Sequence, residues 1–251
     1  MEGSERDGAL VIRPLSAARV DDVKHVMSGT WGATCWDLYP RFTEKQQRER
    51  GLSHAPDAKR RAELARLARR RRAPGLVGYR RGEPIGWVAI GPRFDFARID
   101  VSRATPPVDD VAVWVIPCIT VRRGHRGRGV AVALIRAAVD YAGKHGAPAI
   151  EAYPRADAKR VHDDFAFYGT AAMFRKAGFR QARGVLTGLP KSWTPRVTMR
   201  APTTPRRTPE RLGRGGRRGS ATRRAAPGGR LARPRSVARA RLRAPRVARG
   251  P

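Results

Sequence analysis

The chain has 251 residues and a formal net charge of +32, with 53 lysines and arginines against 21 acidic residues. That length holds one ordinary domain with an extension and leaves little room for a second, and the charge points towards polyanions. Two widely separated cysteines, Cys35 and Cys118, are too few for a disulfide framework or a zinc cluster, so a reducing, cytoplasmic setting and no metal are expected. Residues 1 to 8 read as a flexible, acidic N-terminus without the apolar segment of a signal or transit peptide. The longest apolar run, Val111 to Thr120, is about half the length of a membrane span and contains Pro117, so no membrane partner is expected.

From Ala9 the sequence alternates strand and helix patterns. Ala9 to Leu15 is a short apolar run closed by proline, with Ser16 placed to cap a helix through Val20, Val23 and Val26. Asp57 is placed to cap a second helix, with Leu64, Leu67 and Ala68 on one face and Pro74-Gly75 as its stop. Two runs rich in β-formers, 76–79 and 85–90, flank Arg81-Gly82-Glu83 and predict a tight antiparallel hairpin. Residues 92–110 read as a surface loop. A long strand follows from Val111 to Val121, in which Pro117 demands a bulge, an edge or a bend.

After that strand comes the loop Gly124-His125-Arg126-Gly127-Arg128-Gly129 and then an apolar helix from Val130 to Lys144, stopped by Gly146. Glycines there allow a tight turn and expose N–H groups at a helix start, which suits a pyrophosphate. The loop is not a Walker loop, and Val132 stands where a dinucleotide fingerprint would need glycine. A further strand at 150–153, a polar loop at 154–168, a short helix capped by Thr170, and closing strands at Phe179 and 197–199 complete the body.

Residues 201–251 hold 16 arginines, no lysine, no aromatic residue and a single acid, Glu210. Such a segment cannot bury enough apolar surface to offset its ordering entropy, so a disordered Arg/Pro/Gly-rich tail is expected. It would bind nucleic acid non-specifically through phosphate contacts, or be only a solvated extension or the product of a shifted reading frame. Both readings stand.

The hairpin with Gly86-Trp87-Val88-Ala89, the strand Cys118-Ile119-Thr120-Val121, the loop and helix start Arg126-Gly127-Arg128-Gly129-Val130-Ala131, and Ala172-Met173-Phe174-Arg175-Lys176-Ala177-Gly178-Phe179 resemble, in order and spacing, the GNAT family of acetyl-CoA-dependent N-acetyltransferases. The resemblance covers residues 9–200. It implies an α/β fold in which a mixed central sheet with splayed central strands is flanked by helices. It also implies acetyl-CoA as co-substrate, held by Arg126, Gly127, Arg128, Gly129, Val130 and Ala131 at the pyrophosphate and by the main chain of Ile119 and Val121 along the pantetheine arm. Gly124 stands where the family's loop usually has Gln or Arg, which removes a side-chain contact and leaves the backbone cradle.

The activity so implied is transfer of acetyl to a primary amine by direct attack, with a small-molecule or peptide amine as acceptor and a homodimer as a candidate assembly. The family's tyrosine on the short helix is Phe174 here, so Tyr168 in the preceding loop, water, or no dedicated acid would protonate the leaving thiolate. Glu151, on the strand after the cofactor helix, is the candidate base, or a strand-end carboxylate paired with arginine. Cys118 is a candidate nucleophile or a small core residue. His125 reads as a phosphate neighbour, and His162-Asp163-Asp164 as solvent-exposed. Trp31, Cys35 and Trp36, with Tyr39 and Phe42, form an aromatic cluster that either walls the acceptor pocket or packs the core. The rival reading is a catalytically weak relative that binds nucleic acid through its basic tail.

Overall fold

The computed structural model describes residues 8–156 and 166–203. They lie within one unit of the chain, Met1–Thr208; the second unit, Pro209–Pro251, and with it most of the arginine-rich segment, is outside the described residues. His162, Asp163 and Asp164 are also outside them.

The chain opens with β1 (Leu10–Pro14), α1 (Val20–Met27) and the short helices α2 (Gly32–Cys35) and α3 (Glu44–Glu49), followed by α4 (Asp57–Ala68). The hairpin β2 (Gly75–Arg80) and β3 (Glu83–Ala89) comes next, then β4 (Gly91–Pro92) and α5 (Ala97–Asp100). The middle is β5 (Trp114–Ile116), β6 (Ile119–Val121), α6 (Val130–Lys144) and β7 (Ala149–Ala152). The chain then forms α7 (Ala171–Lys176), β8 (Arg180–Arg183) and β9 (Thr198–Pro202).

Strands β1, β2, β3 and β6 make one antiparallel sheet in that order; β4, β5, β7, β9 and β8 make a second, in which β5 and β7 are parallel. Alternation along the hairpin, interrupted at Ile85 by a register shift opposite Gly78 and Tyr79, assigns its two faces. Val77, Trp87 and Ala89 join the core under α1 and α4, whereas Leu76, Ile85, Val88 and Ile90 join the core under α6, with Leu134, Ile135 and Ala138. The close approach of α6 explains Gly86: a Cβ there would stand 2.7 Å from Leu134 Cδ1. The hairpin turn is tight as expected, with Arg81 (φ 51°) and Gly82 (φ 80°) both left-handed.

The expected single strand 111–121 is two strands in two sheets. Pro117 has no N–H to give to a ladder and fixes its own φ, so pairing cannot run through it. Residues 114–116 pair with β7, residues 119–121 pair with β3, and the sheets part between them. Two capping expectations are corrected. Pro56 rather than Asp57 precedes α4, and the Asp57 carboxylate instead accepts from Trp36 Nε1 (2.6 Å) and pairs with Lys24. That helix also ends at Ala68, before Pro74. Thr170 does cap α7, accepting from Met173 N at 3.3 Å.

Candidate functional site

The parting of the sheets leaves one edge of β6 without a strand beside it. Ala89 N–H donates to the Cys118 carbonyl (2.9 Å) and Arg122 N–H to the Ile85 carbonyl (2.9 Å), so even-numbered residues of this segment bond to β3. Period-two alternation turns the main-chain groups of Ile119 and Val121 the other way. Two of those four groups are already engaged: Ile119 N–H donates to the Phe167 carbonyl (2.7 Å), and the Val121 carbonyl accepts from Arg126 Nε (2.8 Å). Among the described residues the Ile119 carbonyl and the Val121 N–H have no main-chain partner on that edge.

Downstream, Gly127 and Gly129 both adopt φ 76°, and a Cβ at either would meet nothing within 4 Å. Glycine is required there for its backbone conformation and not for space. The turn delivers the chain into α6 with Gly129 as its N-cap, a residue with no side chain to cap the first turn. The leading N–H groups of a fifteen-residue helix, Val130 and Ala131 among them, therefore carry the positive end of its dipole. His125 stands beside this turn; its Nε2 is 3.6 Å from Glu83, and its Nδ1 is buried without a partner among the described residues.

A cavity of about 450 Å³ connects these features. One end is lined by His125, Arg126, Gly127, Gly129, Val130 and Ala131, the middle by Cys118, Ile119 and Val121, and the other end by Trp31, Cys35, Asp37 and Tyr39. Arg128 is the one residue of the expected cofactor set that does not line it. Trp31 meets Tyr39 edge to face at 5.2 Å. Trp36 does not belong to this wall. It is 1 % exposed, bonded to Asp57 and packed in the core with α1 and α4, because the left-handed turn at Trp36 and Asp37 sends its ring away from the cavity.

Neither expected catalytic residue lines the cavity, and the two are placed differently. Glu151 is fully buried on β7, outside the cavity lining, where Oε1 accepts from Arg200 Nε (2.9 Å) and Nη2 (2.6 Å) and Oε2 accepts from Tyr153 Oη (2.8 Å). Arg93 Nη1 donates to the same Tyr153 oxygen at 2.6 Å. Tyr168 lies beneath Arg196, whose guanidinium is 3.4 Å from the ring centre, and near Tyr39 and Cys118; burial pushes its phenol above the usual value. Phe174 is fully buried edge to face with Phe179 (5.1 Å). Cys118 is buried at the break between β5 and β6, and burial raises its thiol well above the ordinary range.

Asp37 is the functional candidate that sequence reasoning missed. Its signal was slight, a lone acid inside an otherwise aromatic and apolar stretch from Trp31 to Phe42. In the structure its side chain is fully buried, Oδ2 accepts from Arg41 Nη2 (3.1 Å), and Oδ1 has no partner among the described residues. Among the described residues no group of three or more His, Cys, Asp or Glu is placed to hold a metal ion, and no helix is long and apolar enough to cross a membrane.

A strand broken between two sheets, a bare strand edge and a glycine-bent helix start opening on one cavity define the fold of an acetyltransferase. The chain belongs to the GNAT acetyltransferase family, whose members use acetyl-CoA: residues 34–167 match the model of the Acetyltransferase (GNAT) family. No curated protein matches the sequence. Among solved structures, a GNAT-family acetyltransferase from Bacillus cereus is similar at 14% identity and TM-score 0.45, covering 78% of this chain and 99% of its own. An N-acetyltransferase from Staphylococcus aureus is 14% identical, TM-score 0.46, with the same coverage of 78% and 99%. The aminoglycoside N-acetyltransferase AAC(6')-Iy in complex with CoA is 17% identical, TM-score 0.39, over 57% of this chain and 76% of that one.

Proposed function

We propose that the protein moves an acetyl group from acetyl-CoA to a primary amine by direct attack inside the 450 Å³ cavity. The observation that carries this reading is the continuity of that cavity, from the Gly127–Gly129 turn, past the strand break at Cys118, to the wall of Trp31, Cys35 and Tyr39. Its residues fit acetyl-CoA. The first N–H groups of α6 with Arg126, Arg128 and the unpartnered His125 Nδ1 would hold the pyrophosphate. The Ile119 carbonyl and Val121 N–H would pair with the amide groups of the pantetheine arm as a neighbouring strand would.

Bound there, acetyl-CoA supplies a thioester carbonyl with a tolerable leaving group. The protein's share is to align the amine with that carbonyl, to exclude water, and to manage two protons. Tyr168, kept protonated by burial and placed near Cys118 at the strand break, is the candidate donor to the departing sulfur. Glu151, with both oxygens engaged, serves this reading as an anchor between β7 and β9. Calorimetric titration with acetyl-CoA, followed by thiol release across a panel of primary amines, tests the proposal. Saturable binding and amine-dependent thiol release are expected; absence of acetyl-CoA binding overturns it.

A further inference from the structure

Two consecutive non-glycine residues, Trp36 (φ 50°) and Asp37 (φ 57°), hold the left-handed conformation directly after α2. Backbone of this kind costs stability and persists where its surroundings fix it, as at functional sites. The turn leaves Asp37 among the cavity's lining residues with its side chain fully buried. One oxygen is held by Arg41, which also donates to the Pro74 carbonyl (2.6 Å) and lies over Phe96 (4.4 Å), so this guanidinium is fixed. The other oxygen, Oδ1, has no partner among the described residues. The Trp87 indole and the Cys118 thiol both lie beside the carboxylate and lower its pKa against the effect of burial, but neither makes a hydrogen bond to Oδ1, and Trp87 Nε1 is likewise without a partner among the described residues. The lone pairs of Oδ1 are therefore open to a ligand.

The groups facing Asp37 are Arg41 and Cys35 from its own segment, Trp87 from β3 and Cys118 from the strand break. Burial pushes the Cys35 thiol up to about 11 and the Cys118 thiol well above its ordinary value, which keeps both protonated and unreactive at neutral pH. Asp37 is the remaining group of the trio able to take a proton, and burial raises its carboxyl against the pull of Arg41.

Building on the acetyltransferase reading, we propose that Asp37 anchors the acceptor's ammonium and is its catalytic base, and that the acceptor is a primary amine bearing one positive charge on a short apolar or aromatic stem. The stem is set by the walls, Met27, Trp31, Tyr39 and Pro40. The single charge is set by the acids: among the described residues lining the cavity Asp37 is the one carboxylate, so a second ammonium meets no counter-charge. In the reaction the ammonium gives one proton to Asp37, and the amine lone pair attacks the thioester carbonyl. The C–N bond forms, the C–S bond breaks with its electron pair leaving on sulfur, Tyr168 gives its proton to that sulfur, and the second nitrogen proton restores the Tyr168 hydroxyl. Asp37 then releases its proton to solvent, so acetyl-CoA and an ammonium yield an amide, CoA thiol and one proton.

The test uses the full chain, with 2-phenylethylamine and tryptamine as probes, spermidine as the polycationic control, and calorimetry for acetyl-CoA. Asp37→Asn is expected to keep the acetyl-CoA Kd within twofold, to lower kcat/KM for the aromatic amines by about 100-fold or more, and to remove the acidic limb of its pH profile. Should that variant melt early because Arg41 is left unpaired, Asp37→Asn with Arg41→Gln removes both charges and the same quantities are read there. An unchanged kcat/KM and pH profile in a folded variant overturns the assignment of Asp37. A wild type that binds acetyl-CoA but acetylates spermidine alone, or neither aromatic probe, overturns the acceptor class. A wild type that does not bind acetyl-CoA overturns instead the activity on which the proposal rests.

Discussion

Two buried carboxylates sit among the described residues, and their surroundings could hardly differ more. Glu151 has both oxygens engaged: Arg200 donates twice to Oε1, Tyr153 donates to Oε2, and Arg200 is tied in turn to Asp109 (2.6 and 3.0 Å). Asp37 has one oxygen on Arg41 and one with no partner among the described residues, and it faces a cavity. A fully satisfied buried network holds geometry, whereas an unmet buried lone pair costs stability unless a ligand uses it. Position in the chain favoured Glu151 as the base; hydrogen-bond accounting favours Asp37.

The largest expected effect breaks the satisfied side of this comparison. Glu151→Ala removes the partner of Arg200 and Tyr153 and should cost about 3 kcal/mol, near the low end for a broken buried pair because Asp109 still holds Arg200. Thermal melting should fall by roughly 10 °C, with the acetyl-CoA Kd of the folded protein unchanged; a Glu151→Ala protein that melts normally and loses turnover would return the base to Glu151. Next, Tyr168→Phe keeps the ring under Arg196 but deletes the hydroxyl. It should lower kcat ~100-fold, about 2.7 kcal/mol, without altering acetyl-CoA affinity, and steady-state kinetics with equal kcat in both proteins would remove this residue as the acid.

A smaller effect is expected at the cradle. Gly127→Val forces a β-branched residue into φ 76° and should weaken acetyl-CoA binding about tenfold, or 1.4 kcal/mol, by calorimetry. Smaller still, Trp36→Phe loses the hydrogen bond to Asp57 and should cost ~1 kcal/mol of stability in denaturant titration while leaving the amine KM alone; a raised KM would put Trp36 back in the acceptor wall. The subtlest test follows proton linkage. Burial raises the folded-state value of the Asp37 carboxyl above its unfolded value. Its contribution to stability is therefore full below about pH 4 and is lost as pH rises through the raised value. The gap in Tm between wild type and Asp37→Asn should shift towards the wild type on going from pH 7 to pH 5, and a gap that moves the other way would show Arg41 to outweigh burial.

The hairpin 75–89, the helix 130–144 and the glycine turn before it were legible because each rests on local rules: period-two alternation, a 3.6-residue apolar stripe, and glycine's access to positive φ. Pro117 announced a break in its strand for the same reason, since a missing N–H is a property of the residue alone. That the break sends its halves into separate sheets was settled by partners more than thirty residues away in sequence, β3 and β7. The aromatic stretch from Trp31 to Phe42 shows the same limit. Its composition announced buried rings, but a left-handed turn at Trp36 and Asp37, fixed by tertiary packing, turns one ring into the core and places the neighbouring carboxylate on the cavity. Whether a buried acid is satisfied depends on which donors the folded chain brings to it: Arg200 comes to Glu151 from a strand 49 residues on, whereas Asp37 has only Arg41 from its own segment on one oxygen. Local chemistry fixes which conformations a segment favours; only the folded chain decides which polar groups are left with a lone pair to spare.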